Sequence, residues 1–180
     1  MEVEGAGKAV EDQGCESPQR TFIRGRALPQ ELRTSQAWLK QIKQPRLGRE
    51  KPWYQDHACF NLPLKERAVA IWPALEPATI ENGCMHILDI GETHQPHLHW
   101  SQRSWQTCDS EIQGPPFLVV PLPSGGALVF DSLLPHGTPK NHSAMERWVL
   151  QFPYLPDNAA NWTAEQRMEL FGTEGKDVTC

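Results

Sequence analysis

From residue 52 onward, short apolar runs alternate with proline, glycine and asparagine. Six runs have the length of β-strands: 53–60, 67–75, 84–90, 117–122, 126–133 and 145–152. Turn residues separate them at Asn61-Leu62-Pro63, Glu81-Asn82-Gly83, Gly114-Pro115-Pro116, Ser124-Gly125-Gly126 and Gly137-Thr138-Pro139. Many short strands with such punctuation predict a β-sandwich or barrel. Residues 91–113 are polar and aromatic without a period, and a loop of that length usually forms a lid or a site rim. Upstream, Leu32, Trp38, Leu39 and Ile42 fit one helical stripe behind Pro29, so 30–43 reads as a helix, although its end suits an edge strand equally. After Pro156, Thr163 and Gln166 have capping-box spacing ahead of Met168, Leu170 and Phe171, which predicts a short helix.

The chain has 180 residues, enough for one domain around one core. That domain is expected over 27–171, between a loose segment at 1–26 and a loose tail at 172–180. The segment 1–20 is rich in glycine and charge and has too little apolar surface to order itself. A net charge of −5 argues against a nucleic-acid groove. No apolar run approaches the ~20 residues of a membrane span, and Met1-Glu-Val-Glu lacks the plan of a signal peptide. Cys15, Cys59, Cys84, Cys108 and Cys180 are scattered and form no C-x-x-C pair, so reduced thiols in a cytoplasmic protein are expected.

Three residues suggest chemistry. On a strand over 53–60, Tyr54 and Asp56 would share a face and His57 would point away. An inward carboxylate is costly unless it is paired or binds a metal. Taken alone, Asp56 reads as well as a strand-end residue bonded to backbone. His136 follows an apolar run, between Pro135 and Gly137, which places an imidazole at a strand end beside a turn. Arg147 lies inside the next apolar run, Met145 to Phe152. Turned inward, its guanidinium requires an anion, and a carboxylate fits it through two parallel hydrogen bonds. Thr138 could add a hydroxyl donor. His94, His97 and His99 have spacing that could suit zinc, but no convincing fourth ligand lies nearby and they read as a polar site rim. Two Asn-x-Ser/Thr matches, at Asn141 and Asn161, read as chance.

Taken together, these residues resemble the phytanoyl-CoA dioxygenase family of Fe(II)/2-oxoglutarate-dependent oxygenases, over about residues 42–156. The resemblance rests on Lys51 to Phe60, Ala78 to Met85, Gly126 to Thr138, and Arg147 at the family's spacing. Glu81-Asn82-Gly83 is a family turn, His94 matches a Pro-Gly-Ser-His position with the first three residues changed, and Trp72 matches a pocket aromatic. The resemblance implies a mainly β domain, a double-stranded β-helix or cupin-like jelly-roll, with short flanking helices. It implies Fe(II) held by a His-x-Asp pair and a distal histidine, leaving positions open for cosubstrate and O2. Here Asp56 and His136 would be the metal ligands with Tyr54 at the third metal position, Arg147 and Thr138 the 2-oxoglutarate contacts, and Trp72 the pocket wall. The implied reaction hydroxylates a small organic or lipid-derived substrate and converts 2-oxoglutarate and O2 to succinate and CO2.

Two departures stand out. The first metal ligand should be histidine, and the sequence has Tyr54, a weak ligand for Fe(II) as a neutral phenol. His57 has the wrong strand parity to replace it without a bulge. The family also carries more structure ahead of the site than the roughly 50 residues here, which implies a barrel shortened at its N-terminal side. The alternative function is a carboxylate-binding module that has lost a metal ligand.

Overall fold

The computed structural model describes residues 21–22, 32–34, 39–60, 62–91, 95–100, 105–156 and 163–173. Thirteen strands and three helices appear in it. The strands are β1 (Thr21–Phe22), β2 (Leu32–Thr34), β3 (Leu39–Lys43), β4 (Lys51–Tyr54), β5 (Val69–Pro73), β6 (Met85–Leu88), β7 (His99–Trp100), β8 (Gln106–Thr107), β9 (Phe117–Val120), β10 (Ala127–Asp131), β11 (His136–Thr138), β12 (Arg147–Pro156) and β13 (Gly172–Thr173). The helices are α1 (Asp56–Cys59), α2 (Asp109–Ile112) and α3 (Ala164–Phe171).

The larger sheet runs β1-β10-β5-β12-β2, with β3 also on β12. A four-stranded sheet runs β4-β11-β6-β9, and a small third sheet runs β13-β7-β8. Most pairings in the first two sheets are antiparallel, and β1 on β10 is parallel. This is the mainly β jelly-roll of the double-stranded β-helix class. Trp72, Met85, Ile87, Leu128, Phe130 and Val149 belong to its main core. They come from both sheets and alternate with more exposed neighbours, as period-two strands require. Trp72 is fully buried. Trp72→Ala is expected to cost about 3–5 kcal/mol through lost contacts and a cavity, measurable by urea unfolding.

Each of the six predicted runs overlaps a strand, with some corrections. The run 53–60 is a strand only to Tyr54, and Asp56 opens a helical turn. His136 does not end the strand before it but begins β11, after a turn over 132–135. That turn is set by Leu133 N–H donating to Asp131 Oδ1 at 2.9 Å and Leu134 N–H to Asp131 O at 3.0 Å. β11 and β12 belong to different sheets. Residues 32–34 and 39–43 are strands, not a helix. In β3, Gln41 and Lys43 are the more buried positions and Lys40 and Ile42 the exposed ones. The inward positions 41 and 43 are polar, so the apolar stripe misled.

The helix after Pro156 forms as its cap predicts. Thr163 N–H donates to Gln166 Oε1 at 3.0 Å, and Gln166 N–H to Thr163 Oγ1 at 3.3 Å. Its Phe171 is fully buried beside Ala58 and Leu133. The predicted 91–113 loop carries β7, β8 and α2, and His94 lies outside the described residues. Thr21–Phe22 and Gly172–Thr173 pair within sheets. The remainder of the two terminal segments lies outside the described residues. Cys59 and Cys84 are free thiols. Cys108 is disulfide-bonded, which corrects the expectation that all five cysteines are reduced.

Candidate metal and carboxylate site

β4 and β11 pair antiparallel with Tyr54 opposite His136, which turns both rings to one face. The ring centroids are 4.3 Å apart. Asp56 reaches the same place from the helical turn, not along the strand. His57 N–H donates to Ser132 O at 2.9 Å and ties that turn to the loop preceding β11. Asp56 Oδ1 lies 3.8 Å from His136 Nε2. Both side chains are nearly inaccessible to solvent.

His136 Nδ1 is 2.9 Å from Leu134 O, an acceptor, so Nδ1 carries the hydrogen. Nε2 of the neutral ring is then a bare lone pair, buried and without a partner. Burial favours that neutral ring by lowering the imidazole's affinity for a proton, against the opposing pull of Asp56. A lone pair and a carboxylate oxygen thus face each other with no donor between them. An imidazole whose far N–H is fixed by a carbonyl is the usual arrangement of a metal-bound histidine. These two donors fit a divalent ion.

Tyr54 fits it less well. Its hydroxyl hydrogen-bonds to Asp56 and Gln151. Burial, and secondarily the Asp56 charge, push the phenol well above its ordinary range, so it is a neutral donor to Asp56. Among the described residues no group of three or more His, Cys, Asp or Glu could hold a metal. The Asp56–His136 pair thus has a phenol beside it at the position where the family resemblance expects a histidine. His57 does not replace it. Its Nδ1 lies 3.0 Å from Ser132 Oγ and its Nε2 3.2 Å from Leu62 O. Nor do the other described histidines form a cluster. His97 Nδ1 pairs with Glu111 at 3.1 Å, and His99 Nδ1 donates to His97 O at 2.7 Å. His99 Nε2 accepts from Gln55 N–H at 3.1 Å and so braces the chain beside Asp56.

Arg147 begins β12, fully buried, opposite Lys43 of β3. One of its terminal nitrogens donates to Gly83 O, its Nε has no partner, and its Cζ stands 5.2 Å from the Trp72 ring centroid. The turn holding Gly83 explains the Glu81-Asn82-Gly83 motif. Asn82 Oδ1 accepts Thr79 N–H at 2.7 Å and its Nδ2 donates to Pro77 O at 2.8 Å. Gly83 has φ +85°, and a Cβ there would stand 2.3 Å from Pro139 O, so no other residue fits. Lys43 Nζ donates to Thr138 O at 2.9 Å and to Pro139 O. Burial, then the neighbouring Arg147 charge, push Lys43 down to about 7. Burial likewise pushes Arg147 down to about 10. The Thr138 hydroxyl is buried without a partner. Two buried cations, an idle guanidinium N–H and an idle hydroxyl form a region that calls for an anion.

Sequence reasoning missed Gln41, Lys43 and Gln151. Gln151 Nε2 donates to both Asp56 oxygens, at 3.1 and 3.0 Å. Its signal was parity, because Arg147, Val149 and Gln151 share one face of β12. A small cavity of about 120 Å³ borders β4 and β11 and is lined by Lys51, Trp53, His86 and Thr138 among others.

A model of the family described as phytanoyl-CoA dioxygenase (PhyH) matches residues 4–149. The chain belongs to the phytanoyl-CoA dioxygenase family. Its fold is similar to EvdO2 from Micromonospora carbonacea var. aurantiaca, at 28% identity and TM-score 0.56, covering 74% of this chain and 55% of that one. EvdO2 complexed with 2-oxoglutarate matches at 27% identity and TM-score 0.55, over 74% and 55%. The epimerase SnoN from nogalamycin biosynthesis, in complex with Fe3+, alpha ketoglutarate and nogalamycin RO, shares the fold at 21% identity and TM-score 0.61, over 73% and 53%. The chain therefore spans about half the length of these structures. No curated protein sequence matches it. No helix among the described residues is long and apolar enough to cross a membrane.

Proposed function

We propose that this phytanoyl-CoA dioxygenase family member is an Fe(II)- and 2-oxoglutarate-dependent oxygenase built on a two-residue metal clamp. Asp56 and His136 hold the iron. Arg147 and Thr138 take the far carboxylate of 2-oxoglutarate, and Trp72 walls the pocket. The observation that carries the reading is the buried, unpartnered His136 Nε2 facing Asp56 Oδ1 at 3.8 Å. Family membership and the 2-oxoglutarate complex of EvdO2 support it. When bound, iron supplies the activation of O2, coupled to decarboxylation of 2-oxoglutarate and hydroxylation of a small organic or lipid-derived molecule. The chain's own residues do the rest. Leu134 O fixes the imidazole tautomer, Gln151 holds the Asp56 carboxylate, Arg147 orients the dicarboxylate, and the core around Trp72 excludes water. Conversion of 2-oxoglutarate to succinate, followed by NMR with iron and air, tests it. O2-dependent succinate that disappears in His136→Ala is expected, and none above the iron-only blank rejects it.

A second reading, a carboxylate-binding module without turnover, draws on one observation, the neutral Tyr54 phenol engaging Asp56. It expects binding of 2-oxoglutarate with no succinate.

Both readings require a pH dependence set by Lys43. Its folded value, about 7, lies below the ordinary 10.5 of the unfolded chain. Below pH 7 it is protonated in both states, and the cost of its buried charge is borne in full. Between those values the folded state sheds its proton first, so the unfolded state binds more protons and stability rises with pH. A bound dicarboxylate compensates the charge. 2-Oxoglutarate is therefore expected to raise Tm more at about pH 6 than at about pH 9. Equal shifts in a thermal melt would remove Lys43 from the pocket.

A further inference from the structure

We propose that Gln151 and Gln41 are positioning residues, a directional amide relay that fixes the Asp56 carboxylate for metal and ties it to the wall of the carboxylate pocket. The proposal rests on the reading that Asp56 and His136 take a metal ion.

The relay is continuous. Trp72 Nε1–H points at Gln41 Oε1, at 3.5 Å. Gln41 Nε2 donates to Gln151 Oε1. Gln151 Nε2 donates to both oxygens of Asp56. Every link runs in one direction because indole N–H can only donate. It engages the oxygen of Gln41 and turns its NH2 toward Gln151. That NH2 in turn engages the oxygen of Gln151 and turns the second NH2 toward Asp56. A flipped Gln151 would aim its carbonyl at the carboxylate and lose both bonds. The strands set the reach. Gln41 lies opposite Val149, and Gln151 opposite Leu39, so the two glutamines are diagonal neighbours on one inward face. The same face of β12 carries Arg147, over the same Trp72 ring that starts the relay.

Gln151 is buried and Gln41 half-buried, and an amide withdrawn from water costs free energy unless its polar atoms are used. Here Gln151 meets both oxygens of the Asp56 carboxylate and sets its orientation. That is the role of the outer hydrogen bonds around metal ligands, whose loss typically weakens metal binding about 10–100-fold. Gln41 touches neither Asp56 nor His136 among its recorded hydrogen bonds, so any effect of replacing it on the metal passes through Gln151.

The test uses the full chain and Mn(II) as a redox-inert probe, followed by titration calorimetry. Gln151→Leu is expected to weaken Mn(II) binding about 10–100-fold, and Gln41→Leu about tenfold. The double variant is expected to be no weaker than Gln151→Leu, since the relay is broken once. Metal-free protein supplies a second readout. The side-chain NH2 resonances of Gln151 are expected to move in Gln41→Leu by 15N-correlated NMR. If Gln41→Leu does not fold, Gln41→Met serves in both measurements. Unchanged Gln151 resonances with unchanged Mn(II) affinity overturn the relay and leave the metal reading standing. Additive losses in the double variant also overturn it. A wild-type chain that binds no Mn(II) removes the metal reading, and the proposal with it.

Discussion

Tyr54→His binds Mn(II) or anaerobic Fe(II) at least tenfold more tightly than the wild-type chain, equivalent to about 1.4 kcal/mol or more. Two effects add. The substitution removes a phenol whose hydroxyl hydrogen-bonds to Asp56 and so competes with a cation for that carboxylate. It also places an imidazole on the inward side of β4, in register with His136. A carboxylate and two imidazoles then face one point, the donor set that leaves positions open for cosubstrate and oxygen. Succinate formation is expected to rise with occupancy. If the carboxylate-module reading is right instead, the variant creates succinate formation where the wild type has none. An affinity equal to wild type, measured by calorimetry, would mean that position 54 does not face the metal.

Arg147→Leu abolishes the rise in Tm that 2-oxoglutarate produces. The guanidinium is buried, and Gly83 O and the Trp72 face are the recorded partners that fix its plane. It is the group best placed to accept a carboxylate through paired N–H bonds. Losing such a buried, charge-assisted contact typically costs about 2–5 kcal/mol of binding, or roughly 30- to several-thousand-fold in Kd. The ligand-free protein is expected to fare much better, because leucine fills part of the volume and relieves the like charge on Lys43. A retained 2-oxoglutarate shift in this variant would place the dicarboxylate elsewhere.

The parts of the fold that the sequence made legible obey the common pattern. β5, β6 and β10 put apolar residues inward at every second position or nearly so, and each lies within a predicted run. β3 was misread for the converse reason. It faces the site, so its inward residues are Gln41 and Lys43 and its outward residue Ile42 is apolar. Functional strands invert the burial pattern that identifies ordinary ones. At the site, Asp56, His136, Arg147, Thr138 and Trp72 were named from the sequence. The structure brings Asp56 to His136, stands Arg147 over Trp72 and ties Thr138 to Lys43. The route by which Asp56 arrives, a helical turn pinned to Ser132, leaves no periodic signal. Gln151 was within reach, because it stands four residues after Arg147 on a strand that buries every second side chain. Gln41 was not, since it becomes meaningful only when β3 pairs with β12 and brings it diagonal to Gln151.

Asp56 and His136 are proposed to grip one ion beside a 2-oxoglutarate pocket. Anaerobic titration with Fe(II) and 2-oxoglutarate, followed by visible absorption, tests it most directly. The wild-type chain is expected to develop the weak charge-transfer band of a chelated 2-oxo acid, and Asp56→Ala is expected to show none. A flat wild-type spectrum at saturating iron and 2-oxoglutarate, or an equal band in Asp56→Ala, would contradict it.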